Sequence, residues 1–376
     1  MSKLILFMWR DKQIKFLTQD KFDENRIITV LKHDYNKLKN NSDKNVLQDI
    51  IQDFENKKFS LLSSQEINYL MKNSEEKWTP YLIHRYKFDF YENNLQMPDF
   101  PLYLILEPVS SCNLRCPFCM QVDEKFTSNK QMMGMMDLNL FKKIIDEACE
   151  FGTNAITLTG RGEPTLHPQL GDMLEYCSGK FIELKMNTNA TLLNEKLIHQ
   201  ILKSGVTDLV FSVDSYYKEE FESLRVNANF EKVVDNIKKF QKVRDDDYPT
   251  SNCVTRISGV QVSEKQDVKK FEKFWKQYVD FVVMVRMIDR WDLYNNTKDK
   301  AATTPCHYLG RNLSIYFDGS VNPCDTDYEG KLKMGSVKDF SIHNIWNGEK
   351  YRNLFDAHKN NSRDKYFPCD RCPVGT

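Results

Sequence analysis

Three cysteines within eight residues are the densest group of possible metal ligands in this chain of 376 residues. Cys112, Cys116 and Cys119 stand in the segment SCNLRCPFC, with three and then two residues between them. Thiolates in so short a loop suit soft metals and iron–sulfur clusters. A structural zinc site usually has four ligands, so a set of three leaves a metal position open to a second molecule. A zinc knuckle with a distant fourth ligand and three reduced core cysteines are the alternatives.

A second group of four cysteines lies towards the C-terminus. Twelve residues separate Cys306 from Gly319, four more separate Gly319 from Cys324, and Cys369 and Cys372 form a Cys-x2-Cys pair. Four thiols can ligate one cluster completely, and a four-cysteine zinc site fits the same spacing. The spacing alone leaves both kinds of site open.

The elements that position these cysteines follow from the pattern after residue 100. Short apolar runs alternate with amphipathic helical stretches, which predicts parallel strands covered by helices. Asp137 and Asn194 are typical helix N-caps, and Gly152 and Gly205 follow the predicted ends of the same two helices. The six predicted strands are Leu102–Leu106, Ala155–Leu158, Phe181–Met186, Asp208–Val213, Val254–Ile257 and Phe281–Val285. The first cysteine group directly follows the first strand, at the edge where parallel sheets collect functional residues.

The flanking regions have a different pattern. After Trp291 the alternation stops, and residues 312–322 predict a hairpin with an Asp318-Gly319 turn. The first hundred residues contain no cysteine, and they combine a predicted strand at Leu4–Trp9 with helical spacing in Val46, Ile50, Ile51 and Phe54. We therefore expect three parts: an N-terminal extension of unknown role (1–100), a core (101–291) and a small C-terminal domain (292–376).

Composition excludes some classes of function. The 53 basic and 53 acidic side chains cancel, so no basic surface for nucleic acid is expected. The sequence has no signal-peptide pattern and no apolar run of the ~20 residues that span a bilayer, so we expect a cytoplasmic protein that does not bind membranes. Thiols stay reduced there, and the ten cysteines need a reason other than disulfides. Cys149 and Cys177 lie on predicted helix faces and are expected to be buried packing residues.

The Cys-x3-Cys-x2-Cys spacing, with the aromatic Phe118 before the third cysteine, resembles the signature of the radical S-adenosylmethionine (SAM) superfamily. The resemblance implies that Cys112, Cys116 and Cys119 hold a 4Fe-4S cluster whose open iron binds SAM. It implies that one electron splits SAM into methionine and a 5′-deoxyadenosyl radical, which abstracts a substrate hydrogen. The implied fold is α/β, a partial (β/α)6 TIM-like barrel, and the chain would orient the substrate and exclude competing hydrogen donors.

The turn after the second strand is similar to another motif of that family. Gly160, Gly162 and Glu163 resemble its Gly-Gly-Glu motif, which binds the methionyl ammonium of SAM, although Arg161 replaces the first glycine of the strict triplet. Backbone recognition of SAM would survive that replacement. By itself the segment could be only a turn.

Residues after the third and fourth strands extend the resemblance. Ser212 and Asp214 are similar to a Ser-x-Asp segment that contacts the SAM ribose, Arg225 stands where relatives often hold the SAM carboxylate, and Asn187 could also face SAM. The alternatives are that Ser212 and Asp214 cap the next helix and that Arg225 is solvated.

The spacing Cys-x12-Gly-x4-Cys resembles the SPASM/twitch extension of radical SAM enzymes, which binds auxiliary 4Fe-4S clusters. The resemblance implies a second 4Fe-4S cluster on Cys306, Cys324, Cys369 and Cys372. Full SPASM domains have further cysteines after the Cys-x2-Cys pair, and none follows here before Thr376, so we expect a single cluster in a twitch-like form. A cluster with four thiolates has no open iron, which favours electron transfer over substrate ligation.

These resemblances predict an iron–sulfur oxidoreductase that oxidises a small polar substrate, such as a sugar or sugar-like alcohol, with the auxiliary cluster as electron acceptor and flavodoxin or ferredoxin as external reductant. Arg286, after the sixth strand, is the first candidate for a substrate contact, and an ordinary ion pair would equally explain its charge. A thiol of Cys253 that reached the barrel interior could return hydrogen to a substrate radical, which would make the enzyme an epimerase. The sequence is also compatible with a maturase of a ribosomal peptide, in which residues 1–100 bind the leader, and with a non-enzymatic zinc scaffold.

Overall fold

The computed structural model describes residues 23–58, 62–288, 293–306 and 308–375. The predicted strand at Leu4–Trp9 and the predicted boundary at Trp291 lie outside these residues. The chain divides into two compact units, one before Met97 and one from Met97 to Gly375.

The first unit is helical in its described part. Its helices are α1 (Glu24–Tyr35), α2 (Asn41–Glu55), α3 (Ser64–Lys72) and α4 (Trp78–Asn94). The side chains of Asp23, Asn40 and Ser63 cap the first three, and Glu66 completes a capping box with Ser63. The helical spacing predicted around residue 50 is confirmed, because Ile50, Ile51 and Phe54 are buried along one face of α2.

The second unit is built on a nine-stranded sheet. The strand order is β6-β5-β4-β3-β2-β1-β7-β8-β9, in which the pairs from β6 through to β7 are parallel, whereas β8 pairs antiparallel with both β7 and β9. The strands are β1 (Tyr103–Leu106), β2 (Ala155–Leu158), β3 (Glu183–Thr188), β4 (Asp208–Ser212), β5 (Val254–Gln261), β6 (Phe281–Arg286), β7 (Asn312–Ile315), β8 (Ser320–Asn322) and β9 (Gly335–Ser336). The predicted α/β fold with six successive parallel strands is confirmed.

The helices of this unit connect and cover the strands. They are α5 (Glu124–Thr127), α6 (Leu138–Glu150), α7 (Leu170–Cys177), α8 (Glu195–Lys203), α9 (Lys218–Leu224), α10 (Phe230–Asp247), α11 (Val268–Trp275), α12 (Ile342–Trp346) and α13 (Glu349–Lys359). Asp137 and Asn194 cap α6 and α8 as predicted. Leu104, Ile156 and Leu184 lie in register on one face of the sheet and belong to the apolar core that the helices complete. The face of the sheet that the helices cover is therefore apolar and buried, and the polar loops follow the ends of the strands.

The predicted C-terminal hairpin exists and extends the same sheet. Ser314 pairs with Asn322 and Ile315 with Val321 in the antiparallel β7–β8 hairpin, while Tyr103 to Leu106 of β1 pair with β7 in parallel. The pairing sets β7 beside β1, the strand that the first cysteine loop follows.

The bounds of some strands and the burial of one cysteine differ from the predictions. The third strand lies two residues further along the chain, at Glu183–Thr188, and the fifth continues to Gln261, because the residues after Ile257 keep pairing with β6 as far as Arg286. Cys149 is exposed and not buried as predicted, because it follows Ala148 and lies off the buried stripe of α6, whereas Cys177 is buried in the core. No helix in the described part of the chain is long and apolar enough to cross a membrane.

Candidate functional site

The first cysteine loop leaves β1 at its carboxyl end. The amide of Leu114 donates a hydrogen bond to Cys112 Sγ over 3.4 Å, and the amide of Cys119 donates to the carbonyl of Cys116 over 3.0 Å. Burial raises the pKa of the Cys112 thiol to about 12 and that of Cys116 to about 11, and the charge of the Cys119 thiol acts in the same direction on both. The loop thus gathers three thiols closely enough for their charges to interact.

Glu163 joins the turn after β2 to that loop and to the end of β3. Its Oε1 accepts hydrogen bonds from the hydroxyls of Thr165 and Thr188, each at 2.7 Å, and its Oε2 accepts one from the amide of Asn189 at 2.7 Å. The amide of Glu163 donates to the carbonyl of Ser111 over 3.0 Å. Burial raises the pKa of the Glu163 carboxyl, and these hydrogen bonds act against that rise. A carboxylate offers about four acceptor positions, so Oε2 retains room for a further donor.

Asn189 connects Glu163 to the first cysteine loop. Its Nδ2 donates to Asn113 Oδ1 over 2.9 Å and lies 3.8 Å from Cys112 Sγ. Asn113 Nδ2 in turn donates to the hydroxyl of Thr191 over 2.8 Å. These amide and hydroxyl contacts fix the cysteine loop against the segment after β3.

The glycines of the turn after β2 allow the close approach of two backbone segments. A Cβ at Gly162 would stand 2.3 Å from the carbonyl oxygen of Ser111 and 2.4 Å from that of Val109. A Cβ at Gly160, whose φ is +155°, would stand 2.7 Å from Glu107 Cβ. Any larger residue at these two positions would separate the turn from the cysteine loop.

Asp214, which is fully buried, and Arg225, whose side chain is 12% exposed, form an ion pair beside the loop. Arg225 Nε donates to Asp214 Oδ2 over 2.5 Å, and Asp214 Oδ1 accepts the amide of Val260 over 2.8 Å. Burial acts to lower the pKa of the Arg225 guanidinium, but the Asp214 carboxylate and the Cys116 thiol raise it above its ordinary value. The guanidinium carbon lies 5.8 Å from the centre of the Phe118 ring. Arg225 is therefore a largely buried cation next to the thiols, and not a solvated side chain.

Two further predicted residues face the same end of the sheet from β3 and β4. Asn187 Oδ1 is a buried acceptor without a hydrogen-bond partner among the residues that the structure describes. Buried polar atoms are nearly always paired, so an orphaned acceptor fits a site for a ligand that donates hydrogen bonds. Ser212 ends β4 and is half-buried. Neither Ser212 nor Asp214 caps α9, whose N-cap residue is Tyr217.

Arg161, the residue that departs from the Gly-Gly-Glu motif, forms a buried ion pair with Glu107. Its Nε donates to Glu107 Oε2 over 2.7 Å, one terminal nitrogen donates to Oε1 over 2.6 Å, and its amide donates to Oε2 over 2.9 Å. The other terminal nitrogen donates to the carbonyl of Tyr328 over 2.9 Å. The guanidinium carbon lies 3.7 Å from the centre of the Tyr316 ring. Arg161 thus contacts the C-terminal hairpin region as well as the turn after β2.

The four C-terminal cysteines come together from three segments of the chain. Burial raises the pKa of the Cys306 thiol to about 11, and it raises the pKa of the Cys324 and Cys369 thiols well above the ordinary value. The charge of Cys306 raises the pKa of both Cys324 and Cys369, and that of Cys372 raises the pKa of Cys306 and Cys369. Cys306 also packs against the small apolar cluster that contains Cys372, which agrees with thiols of the three segments lying within range of one another's charge.

Arg363 holds the segments that carry this second set. Its guanidinium is buried and donates to the carbonyls of Cys369 at 3.2 Å, Cys372 at 3.3 Å and Thr304 at 2.9 Å. The amide of Cys306 also meets His358 Nδ1 at 3.3 Å, and burial lowers the pKa of that histidine to about 3. A neutral imidazole is therefore the acceptor for the amide of Cys306.

Thiols of such sets can hold iron–sulfur clusters. Among the described residues, no three His, Cys, Asp or Glu side chains converge on a point where they could hold a single metal ion. A four-iron cluster needs no such convergence, since each thiolate binds a different iron atom at its own corner. Burial keeps these thiols protonated while no metal is bound, and the positive charge of the iron atoms would stabilise them as thiolates. The donor chemistry of both cysteine sets therefore fits an iron–sulfur cluster.

The two predicted substrate-side residues, Arg286 and Cys253, have different surroundings in the structure. Arg286 forms an exposed ion pair with Glu264 at 2.9 Å, which was the competing interpretation of its charge. Cys253 is buried and precedes β5, at the amino end of the strand, whereas the cysteine loop and Asp214 lie at the carboxyl ends. A thiol at the opposite edge of the sheet is poorly placed to return hydrogen to a substrate there.

Asn189, Thr188 and Glu107 contribute to the site and were not predicted from the sequence. Thr188 and Asn189 directly follow Asn187, so their place after a predicted strand was a signal that they reach the same edge. Glu107 directly follows β1, and an acidic residue after an apolar strand needs a cation when it is buried. Its partner Arg161 was visible as the residue that departed from the expected glycine.

Two family profiles match the chain. That of the radical SAM superfamily matches residues 106–274, and that of the SPASM iron–sulfur cluster-binding domain matches residues 306–373. The first range contains the three-cysteine loop, and the second contains all four C-terminal cysteines.

Curated relatives match parts of the chain. The tungsten-containing aldehyde ferredoxin oxidoreductase cofactor-modifying protein of Pyrococcus furiosus is 38% identical over 116 residues, which are 30% of this chain and 30% of that protein. The chain thus spans less than a third of the length of this relative. The GTP 3′,8-cyclase of Clostridium botulinum (strain Okra) is 26% identical over 240 residues, or 63% of this chain and 70% of that enzyme.

Solved structures share the fold. SuiB of Streptococcus suis, bound to the precursor peptide SuiA, matches with a TM-score of 0.52 and 15% identity over 81% of this chain and 77% of SuiB. The enzyme anSMEcpe, with bound S-adenosylmethionine and the Cp18Cys peptide, matches with a TM-score of 0.52 and 18% identity over 73% of this chain and 88% of that chain. At these identities the likeness concerns the fold alone.

Proposed function

The chain belongs to the radical SAM superfamily and carries a SPASM domain, and on that premise we propose that it is an oxidoreductase that removes two hydrogens from a small polar alcohol. The observation that carries the proposal is the difference between the two sets of thiols. Three thiols in the first loop leave a cluster one open iron for SAM. Four thiols in the second set close a cluster, which suits it to accept an electron from the substrate.

Residues of the first loop and its neighbours would hold the SAM-binding cluster and SAM itself. Cys112, Cys116 and Cys119 would ligate the cluster, and Phe118 and Arg225 flank it. The free position on Glu163 Oε2 supports a contact with the SAM ammonium, and the close packing of Gly160 and Gly162 supports recognition through backbone atoms. The Arg225 guanidinium, a cation close to the thiols, supports a contact with the SAM carboxylate. The unpaired acceptor Asn187 Oδ1 supports a contact with a hydrogen-bond donor of SAM. Ser212 and Asp214 complete the proposed set of SAM ligands.

When bound, the cluster and SAM together supply one-electron chemistry that removes a hydrogen atom from an unactivated carbon. The chain's own contribution is to hold the thiols, to orient the substrate carbon and to keep water from the loop. Cys306, Cys324, Cys369 and Cys372 would ligate a single auxiliary cluster. When bound, that cluster would supply an acceptor for the second electron of the oxidation, and an external reductant such as flavodoxin or ferredoxin would provide the electron that SAM cleavage consumes.

A small substrate is favoured by the similarity to GTP 3′,8-cyclase, whose name gives GTP as its substrate. A second candidate function is the modification of a peptide, which the peptide complexes of SuiB and anSMEcpe favour. The two candidates predict different hydrogen donors to 5′-deoxyadenosine.

The proposal is tested with anaerobically reconstituted protein, SAM, a strong reductant and deuterated candidate substrates. Sugars, aminocyclitols and nucleotide-linked sugars form one panel, and synthetic peptides form the other. We expect deuterium from a small alcohol to enter 5′-deoxyadenosine, detected by mass spectrometry, together with a ketone product. Transfer from peptides alone would favour the second candidate, and reduced, iron-loaded protein that cleaves no SAM with either panel would contradict both.

A further inference from the structure

Arg161 contacts both cysteine regions through separate parts of the same residue. On the side of the first loop, its amide donates to Glu107, and its carbonyl accepts the side-chain amide of Gln121 at 2.6 Å. Gln121 also donates to the carbonyl of Ser110 at 2.7 Å, just before Cys112. The backbone of Arg161 is therefore fixed to the two ends of the first cysteine loop.

The side chain of Arg161 reaches the other cysteine region. Its guanidinium lies over the Tyr316 ring and donates to the carbonyl of Tyr328, and Cys324 lies between these two residues in the chain. The Tyr316 hydroxyl donates to the carbonyl of Asp327 at 2.9 Å, which closes the segment around Cys324.

We propose that Arg161 is a positioning residue through which the C-terminal cysteine set controls how well the turn at Gly160–Glu163 binds SAM. The inference rests on the proposed cofactor sites and adds a coupling between them. A cluster bound to the second set would fix the segment from Tyr316 to Tyr328 through Cys324. That segment holds the guanidinium, and the guanidinium holds Glu107 and the turn.

Burial makes this link stiff. The side chains of Arg161 and Glu107 are 5% and 1% exposed, and the pair has hydrogen bonds to both carboxylate oxygens. A buried pair that loses part of its surroundings cannot exchange its partners for water at low cost. Loss of order around Cys324 is therefore transmitted to the turn, and coupling between two sites of this kind is typically about tenfold in affinity.

The test compares SAM dissociation constants in four anaerobically reconstituted proteins by equilibrium dialysis with labelled SAM. They are the unaltered protein, Cys369→Ser/Cys372→Ser, Arg161→Lys, and the variant with all three changes. Lysine keeps the charge but cannot bind both oxygens of Glu107 and the carbonyl of Tyr328 in one plane. We expect about tenfold weaker binding in each of the first two variants and no further loss in the third, since coupled changes are not additive.

Two substitutions at Tyr316 keep the test valid if Arg161→Lys does not fold. Tyr316→Phe keeps the ring beneath the guanidinium, so we expect SAM binding and its dependence on Cys369 and Cys372 to persist. Tyr316→Leu removes the ring but leaves the Glu107 pair and the hydrogen bond to the Tyr328 carbonyl, so that dependence should be smaller than in the unaltered protein. Lys218→Ala, which breaks the exposed Lys218–Glu231 pair, is the control and should change nothing.

The outcomes separate this inference from the proposed function. If SAM binds but Cys369→Ser/Cys372→Ser leaves its affinity unchanged, or if the effects of the two changes multiply, the coupling through Arg161 is contradicted while the proposed function stands. If the coupling is found but no alcohol is oxidised, the inference stands and the proposed oxidation fails. Binding of SAM by protein that lacks iron on the first loop would contradict both.

Discussion

The two cysteine regions differ in how the chain assembles them. The first is one loop of eight residues after β1, and its neighbours from β2, β3 and β4 add polar side chains. The second brings thiols from positions 306 to 372 together and holds them through Arg363 and His358. A local loop can leave one side open to a small molecule, whereas a set drawn from separated segments closes on itself. The difference predicts an exchangeable cofactor site in the first region and a permanently filled site in the second.

The largest expected effect comes from removing the first set. Cys112→Ser/Cys116→Ser/Cys119→Ser should lose roughly four iron atoms per chain and all cleavage of SAM. Cys369→Ser/Cys372→Ser should lose a similar amount of iron and still cleave some SAM to 5′-deoxyadenosine without oxidising substrate. Iron analysis and chromatography of the nucleoside measure both. Equal loss of SAM cleavage in the two variants, with both proteins folded by circular dichroism, would contradict the division of roles.

A large effect on stability is expected where the two regions meet. Arg161→Ala leaves the buried Glu107 carboxylate without its cation, which should lower the free energy of unfolding by about 3–5 kcal/mol. Urea denaturation of the iron-free protein measures it without any contribution from bound clusters. The matched exposed pair Lys218–Glu231 should contribute less than about 1 kcal/mol when Lys218→Ala breaks it. Similar losses in the two variants would mean that the Arg161 pair is not part of the folded link between the regions.

The substitution Glu163→Gln tests the proposed SAM site at the first cysteine loop without altering the C-terminal cysteine set. The amide group of glutamine would point a donor at the amide of Asn189 or at the hydroxyl of Thr188, where the carboxylate accepts hydrogen bonds. We expect SAM to bind about tenfold more weakly, since hydrogen bonds to a charged group are typically worth ~1.5–3 kcal/mol. Iron content on the second set should stay the same. Unchanged SAM affinity would remove Glu163 from the proposed ligands.

The smallest effect concerns the thiols of iron-free protein. Burial raises the pKa of Cys116 and Cys306 to about 11, so the thiolate is rare at pH 8 and its share grows roughly tenfold per pH unit up to that pKa. Alkylation of these cysteines by iodoacetamide should rise in the same way, as followed by peptide mass spectrometry. The exposed Cys149 should react first at pH 8. Equal rates at Cys149, Cys116 and Cys306 at pH 8 would show that neither region is buried without iron.

Much of the fold was predictable because its signals are local. Apolar runs located six parallel strands within a few residues, and Asp137 and Asn194 marked helix starts that the structure has. The end of β5 was not predictable, since Gly259 and Gln261 carry no strand signal and are held by pairing with β6. Local patterns report on neighbours in sequence and miss pairings made by tertiary contact.

The site was predictable to a different extent in the two regions. Spacing alone identified the three-cysteine loop, because its residues are close in sequence. Two contacts of the site depend on which strands lie side by side: Asn189 with Cys112, and Arg161 with Tyr316. The spacing of residues in the sequence does not predict such contacts. Arg286 was predicted from its place after a strand, but nothing in the sequence shows that Glu264 would be its nearest partner.

The central claim is that one region binds SAM at an open iron and the other holds a closed cluster. Mössbauer and electron paramagnetic resonance spectroscopy of the reconstituted protein, with and without SAM, tests it most directly. We expect two 4Fe-4S clusters per chain, with SAM altering the signal of one, and Cys112→Ser/Cys116→Ser/Cys119→Ser removing the cluster that responds. Zinc in place of iron at either set, or a SAM response that survives the loss of Cys112, Cys116 and Cys119, would contradict the account.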